Sequence, residues 1–128
     1  MNRTATHPPR TSHNQQLGAR GETIAAGYLE GLGFRILERN WRNSSGELDI
    51  IARDGGTLVA VEVKTRSGTG YGNPLEAITV QKMTRLRRLL LDWVRAAGMR
   101  GAELRVDAVG ITLRGDERPR IDHLRGIS

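Results

Sequence analysis

The sequence predicts an α/β fold with a central mixed β-sheet flanked by helices. Three observations carry this. Two segments repeat apolar residues at helical spacing, two alternate across the turn signal Asp54-Gly55-Gly56, and strand-like segments follow the second helical one. The resulting order is α-β-β-β-α-β-β, which layers helices on a sheet. A chain of 128 residues suits one domain. That domain is expected over 15–128, behind a flexible arm at 1–14. The arm has no apolar run and carries Pro8 and Pro9, so it reads neither as a signal peptide nor as a folded segment.

The first helix is expected over 15–32, with Leu17, Gly21, Ile24, Ala25, Tyr28 and Leu32 inward. Ser12 or Asn14 is placed to cap it, and Gly33 to end it. A strand over 34–41 leads to the turn formers Asn43, Ser44, Ser45 and Gly46. Segments 47–53 and 57–64 form a hairpin. With Gly55-Gly56 as its two-residue loop, the apolar set Leu48, Ile50, Ala52, Val59, Val61 and Val63 falls on one face. On the other face Asp49 lies opposite Glu62, and Glu47 opposite Lys64. A glycine-rich loop over 66–73 follows. Thr79 caps a second helix running to about Ala97, with Met83, Leu86, Leu90, Trp93, Val94 and Ala97 inward. Arg85, Arg88, Asp92 and Arg95 face outward, with Arg88–Asp92 an i,i+4 pair. Residues 103–113 read as a strand pair or one bent strand, and 120–124 as a short final strand.

The chain carries 20 basic against 14 acidic residues, a net charge of +6, and arginine far outnumbers lysine. Forked guanidinium groups suit phosphate, so a polyanion is the expected partner. There is no cysteine, which removes thiolate metal sites, disulfides and cysteine nucleophiles and suits a reducing, cytoplasmic setting. No apolar run is long enough to span a membrane. His7, His13 and His123 have no zinc spacing, and His123 reads as structural. No P-loop and no G-x-S-x-G elbow is present.

Two carboxylates opposed across a hairpin repel by roughly 3 kcal/mol at about 5 Å and an effective dielectric near 20. A lysine, a proton or a cation must compensate. Asp49 and Glu62 offer hard oxygen ligands suited to magnesium or manganese, and the Val63 backbone carbonyl adds a third. Lys64, on the same face, is placed to hold an attacking water or to steady charge developing on phosphorus. Glu47 reads as a salt-bridge residue. Arg66, Lys82, Arg85 and Arg88 are candidate phosphate contacts, and Tyr71 and Trp41 candidate stacking platforms for bases.

The motifs Gly18-Ala-Arg-Gly-Glu22, Asn40-Trp-Arg42, Gly46-Glu-Leu-Asp49 and Val61-Glu-Val-Lys-Thr-Arg66 together resemble the YraN family of small bacterial proteins. Pro74-Leu-Glu-Ala77, Lys82, Arg105-Val-Asp107 and Ile121-Asp-His123 extend the likeness. That family is similar to the PD-(D/E)XK restriction-endonuclease-like superfamily, which includes archaeal Holliday-junction resolvases. The resemblance implies a restriction-endonuclease-like fold and magnesium-dependent phosphodiester cleavage. It implies Asp49, Glu62 and Lys64 as the D…E-x-K set, with Glu22 as an outer acidic partner that could lean over the sheet and join Asp49, Glu62 and Val63 as a metal ligand. Leu48 stands where the superfamily motif has proline, and Arg85 where some relatives have tyrosine. The expected partner is nucleic acid, DNA ahead of RNA, and symmetric cutting of two strands would favour a homodimer. The alternative is a non-catalytic nucleic-acid-binding module, or a regulatory partner in DNA processing, that keeps the fold.

Overall fold

The computed structural model describes residues 13–68 and 73–128. Helix α1 spans His13–Gly31, followed by strands β1 (Arg35–Asn43), β2 (Gly46–Asp54) and β3 (Thr57–Ser67). A single 3-10 turn at Pro74–Ala77 precedes helix α2 (Val80–Ala96), and β4 (Glu103–Leu113) and β5 (Arg120–Leu124) complete the chain. The strands form one sheet in the order β1-β2-β3-β4-β5. Only β3 and β4 run parallel, joined by the crossover through α2, so the sheet is mixed as expected. Residues 103–113 are one strand rather than a pair.

Local chemistry sets the boundaries. Gly33 adopts φ +93, a conformation only glycine enters at little cost, and Phe34 N–H returns to the Leu29 carbonyl at 3.0 Å. The α1 start at His13 places Asn14 inside the helix instead of at its cap; Ser12 and most of the expected arm lie outside the described residues. Thr79 caps α2 as expected, its hydroxyl accepting from Lys82 N–H at 3.1 Å. In the glycine-rich connection, Asn73 and Glu76 form a reciprocal capping box that the sequence reading did not anticipate.

Each helix covers one face of the sheet. Ala25, Ala26 and Leu29 of α1 pack with Ile50, Ala52, Val59, Val61, Val109 and Ile111. Leu86, Leu89, Leu90 and Trp93 of α2 pack with Leu48, Ile51, Leu58, Ala60 and Val106. Three expectations change here. The hairpin is not greasy on one face only, because its turn half is buried on both, as central strands are. Leu48 packs on the α2 side with Ile51, not with Ile50 and Ala52. Leu32 is past the helix end and 47% exposed, and Ala97 is also exposed, while Leu29 and Leu89 take up core positions.

α1 sits close on β3 at Gly21. A Cβ there would lie 1.8 Å from Thr65 Oγ1 and 2.8 Å from Thr65 Cβ. Gly21→Ala is therefore expected to lose about 1–3 kcal/mol, because the helix must lift off the sheet. Denaturant titration reads this, and an unchanged midpoint would contradict the close packing.

Candidate functional site

The β2–β3 register runs from Asp54↔Thr57 to Ile50↔Val61. At the next position Asp49 Oδ2 accepts the Val63 backbone N–H at 2.9 Å. β3 meanwhile stays paired with β4 as far as Ser67. A cavity of about 280 Å³ lies at this place, lined by Asp49, Glu62, Val63 and Lys64 from the strands. α2 contributes Lys82, Arg85, Leu86 and Leu89 to its wall.

The cavity gathers both lysines of the chain. Lys82 Nζ lies 2.6 Å from Glu62 Oε2, and Lys64 Nζ 3.7 Å from the same oxygen. Glu62 is 7% exposed. Burial and the adjacent Glu62 carboxylate push the Asp49 carboxyl up to about 8, against the pull of the Val63 N–H. Burial works against the charge on Lys82, but the hydrogen bond to Glu62, the contact with Lys64 and the attraction of the Glu62 and Asp49 carboxylates together outweigh it and hold the ammonium above its ordinary range. Lys64 is pushed the other way, by the neighbouring Lys82 first and by burial second. Lys82, expected among the phosphate contacts, thus lies at the carboxylates. Its position in the first turn of α2, set by the Thr79 cap, was the available signal.

Glu22 stands near this cluster on α1. Its Oε1 is buried without a hydrogen bond among the described residues, and Arg39 Nη2 is 3.7 Å away. Burial raises its carboxyl above the usual range, and Arg39 offsets only part of that. Asn40, in the left-handed region at φ +55, follows Arg39 in β1. Glu47 pairs with Arg42 at 3.1 Å across the β1–β2 ladder, not with Lys64. The two carboxylates and Val63 supply oxygen donors suited to a small hard cation. No group of three or more His, Asp or Glu side chains comes together as a ligand set among the described residues.

The remaining candidates scatter. Arg85 lines the cavity, Arg88 is exposed on α2, and Arg66 is half-buried on β3. Asp92 accepts from Asn43 Nδ2 at 3.1 Å rather than pairing with Arg88. Trp41 packs against the α2-side core instead of standing free as a platform. Tyr71 lies outside the described residues. At the far end of the sheet, Asp107 is fully buried and accepts from Arg105, His123 and Gly126 N–H. His123 also meets Tyr28 Oη at 3.0 Å, which gives it a structural place.

Residues 21–111 match the uncharacterised protein family UPF0102. The chain belongs to the UPF0102 family. This is the family its motifs resemble under the name YraN. A UPF0102 protein of Arthrobacter sp. strain FB24 is 52% identical, covering 87% of this chain and 94% of its own length. One from Leifsonia xyli subsp. xyli is 54% identical over 88% of this chain and 95% of the relative. The solved structure of Archaeoglobus fulgidus Hjc, a Holliday junction resolvase from an archaeal hyperthermophile, is also similar. It covers 82% of this chain and 75% of Hjc, at 21% identity and a TM-score of 0.38. No helix among the described residues is long and apolar enough to cross a membrane.

Proposed function

We propose that this UPF0102 protein is a metal-dependent nuclease with a restriction-endonuclease-like fold, hydrolysing phosphodiester bonds in nucleic acid, DNA ahead of RNA. One observation carries the reading: Asp49 and Glu62 share a cavity with Val63 and Lys64 at the place where the β2–β3 ladder ends. Asp49, Glu62 and the Val63 carbonyl would hold magnesium or manganese. The bound ion would supply Lewis acidity and lower the pKa of a water. Glu22 lies outside this set and adds negative potential that favours a cation.

The side chains do the rest. Lys64, on the cavity wall, orients the attacking water and steadies the negative charge developing on phosphorus. Lys82 neutralises Glu62 and stands ready to face the phosphate charge. Arg66, Arg85 and Arg88 receive backbone phosphates on either side. If they do, oligonucleotide affinity should fall linearly on a log–log salt plot, and Arg88→Ala should flatten the slope by roughly 0.7–0.9 per lost contact. An identical slope would return Arg88 to a solvated face.

The short Lys82–Glu62 contact favours a second reading. The site neutralises part of its own charge, as a binding module without catalysis would. Incubating single-stranded, duplex and branched DNA and RNA with magnesium or manganese separates the two. The nuclease reading expects metal-dependent cleavage that falls about 10²- to 10³-fold in Lys64→Met. Binding without cleavage of any substrate by the wild type would support the module instead.

A further inference from the structure

A second cleft of about 370 Å³ adjoins the carboxylate cavity. It is lined by the β1–β2 turn from Arg42 to Glu47 and by Arg85 of α2. Glu47 and Arg85 line both spaces, so the two lie side by side. The turn is held in shape. Asn43 Oδ1 accepts from Ser45 N–H at 2.9 Å and from Gly46 N–H at 3.2 Å, while its amide donates to Asp92 of α2. Gly46 lets α2 approach: a Cβ there would meet Arg85 Nη2 and Leu89 Cδ1 at 3.2 Å. The Arg85 guanidinium therefore lies against the turn. Arg42, with a side chain 74% exposed, stands at the same turn and is countered by Glu47 alone among the described residues.

We propose that this cleft is a phosphate subsite for a polynucleotide strand running on from the carboxylate cavity. It rests on the nuclease reading and deepens it. Arg85 and Arg42 present planar forks that match a backbone phosphate, and Ser44 and Ser45 add hydroxyl donors at the tip of the turn. Glu47 holds Arg42 in the free protein and yields it to the incoming phosphate. The substrate is then a strand that continues past the site of cleavage, and an isolated mononucleotide or small diester leaves the subsite empty. Direct contact with a rigid turn also makes the recognition independent of base sequence.

The test uses the full chain in chelator, so that no strand is cut. Binding of a fluorescein-labelled single-stranded DNA 12-mer is followed by anisotropy across a salt series. Arg42→Ala should weaken binding about 5- to 10-fold and flatten the log–log slope by roughly 0.7. Glu47→Gln keeps the shape, frees Arg42 and removes a like charge from the cleft, so it should tighten binding several-fold. A purely structural Arg42–Glu47 pair would move both variants in the same direction. Melting curves of both variants confirm that each is folded. Opposite shifts support the subsite. Affinities within twofold of wild type with unchanged slopes, weakening in both variants, or no wild-type binding would overturn it. Cleavage by the wild type is scored separately with magnesium. Opposite shifts without cleavage would overturn the nuclease reading alone, and cleavage without the shifts would overturn the subsite alone.

Discussion

Asp107→Ala is expected to cost the protein about 3–5 kcal/mol, because it removes a buried carboxylate and strands its partners. Asp107 is fully buried in β4. It accepts Arg105 Nε and Nη2 at 2.8 and 3.0 Å, His123 Nε2 at 2.9 Å and Gly126 N–H at 2.9 Å. Arg105 would retain Asp54, at 2.9 Å. His123 and Gly126 would keep no replacement for the carboxylate, and the C-terminal residues would loosen. Those residues are otherwise tied by Ile127 N–H to the Val106 carbonyl and by Val106 N–H to the Ser128 carbonyl. At this size the cost corresponds to a fall of more than about 10 °C in melting temperature. Faster hydrogen exchange at Ile127 should accompany it. A loss below 1 kcal/mol would mean that the backbone bonds alone secure the chain end. The pH sense is fixed as well. Burial works against the Asp107 charge, but the Arg105 fork, the Gly126 N–H and His123 together outweigh it and hold the carboxyl below its usual value. Its stabilisation is present above the unfolded value of 3.8 and is lost as pH falls through the lower folded value.

Asp49→Asn should act in the opposite sense. The Asp49 carboxyl moves from 3.8 up to about 8 on folding, through burial first and Glu62 second. A raised carboxyl costs nothing below the unfolded value. Its penalty grows as pH rises from about 4 to about 8, since the unfolded chain ionises while the folded one keeps its proton. In chelator, wild-type stability should therefore decline across that window. Asn keeps the shape and can still accept the Val63 N–H, but has no proton to lose. After solvent screening, the variant should gain on the order of 2 kcal/mol at pH 8 and little at pH 4. Denaturant titrations at the two pH values measure the difference. A variant less stable than wild type at pH 8 would show that the Asp49 charge is held by a cationic partner.

The parts of this fold that were legible in the sequence are those governed by local chemistry. The Gly55-Gly56 loop fixes the hairpin register, so side-chain parity alone brings Asp49 and Glu62 to one place. The Thr79 cap and the apolar period of α2 are equally local. What stayed hidden depends on which distant side chain arrives. Periodicity says that Lys82 begins a helix, not that the helix carries its ammonium to Glu62. Ladder position put Glu47 opposite Lys64, yet the neighbouring strand offers Arg42, and the pair forms there. Leu48 changes sides where the β2–β3 ladder ends, an irregularity that strict alternation cannot express. Asp107 did leave a signal: a carboxylate inside the largely apolar run 106–113, which is buried throughout, demands partners. The sequence does not say that they come from β5 and the chain end.

The central claim is that Asp49 and Glu62 hold a divalent cation, and magnesium-linked stability tests it most directly. A ligand bound only by the native state stabilises it by RT ln(1 + L/Kd) at free concentration L, and so raises the melting temperature. Wild-type protein near neutral pH, moved from chelator into millimolar magnesium, should melt several degrees higher. Asp49→Asn, measured side by side, should not move. A wild type whose melting temperature ignores magnesium and manganese, or a variant that responds as fully as the wild type, would contradict the account.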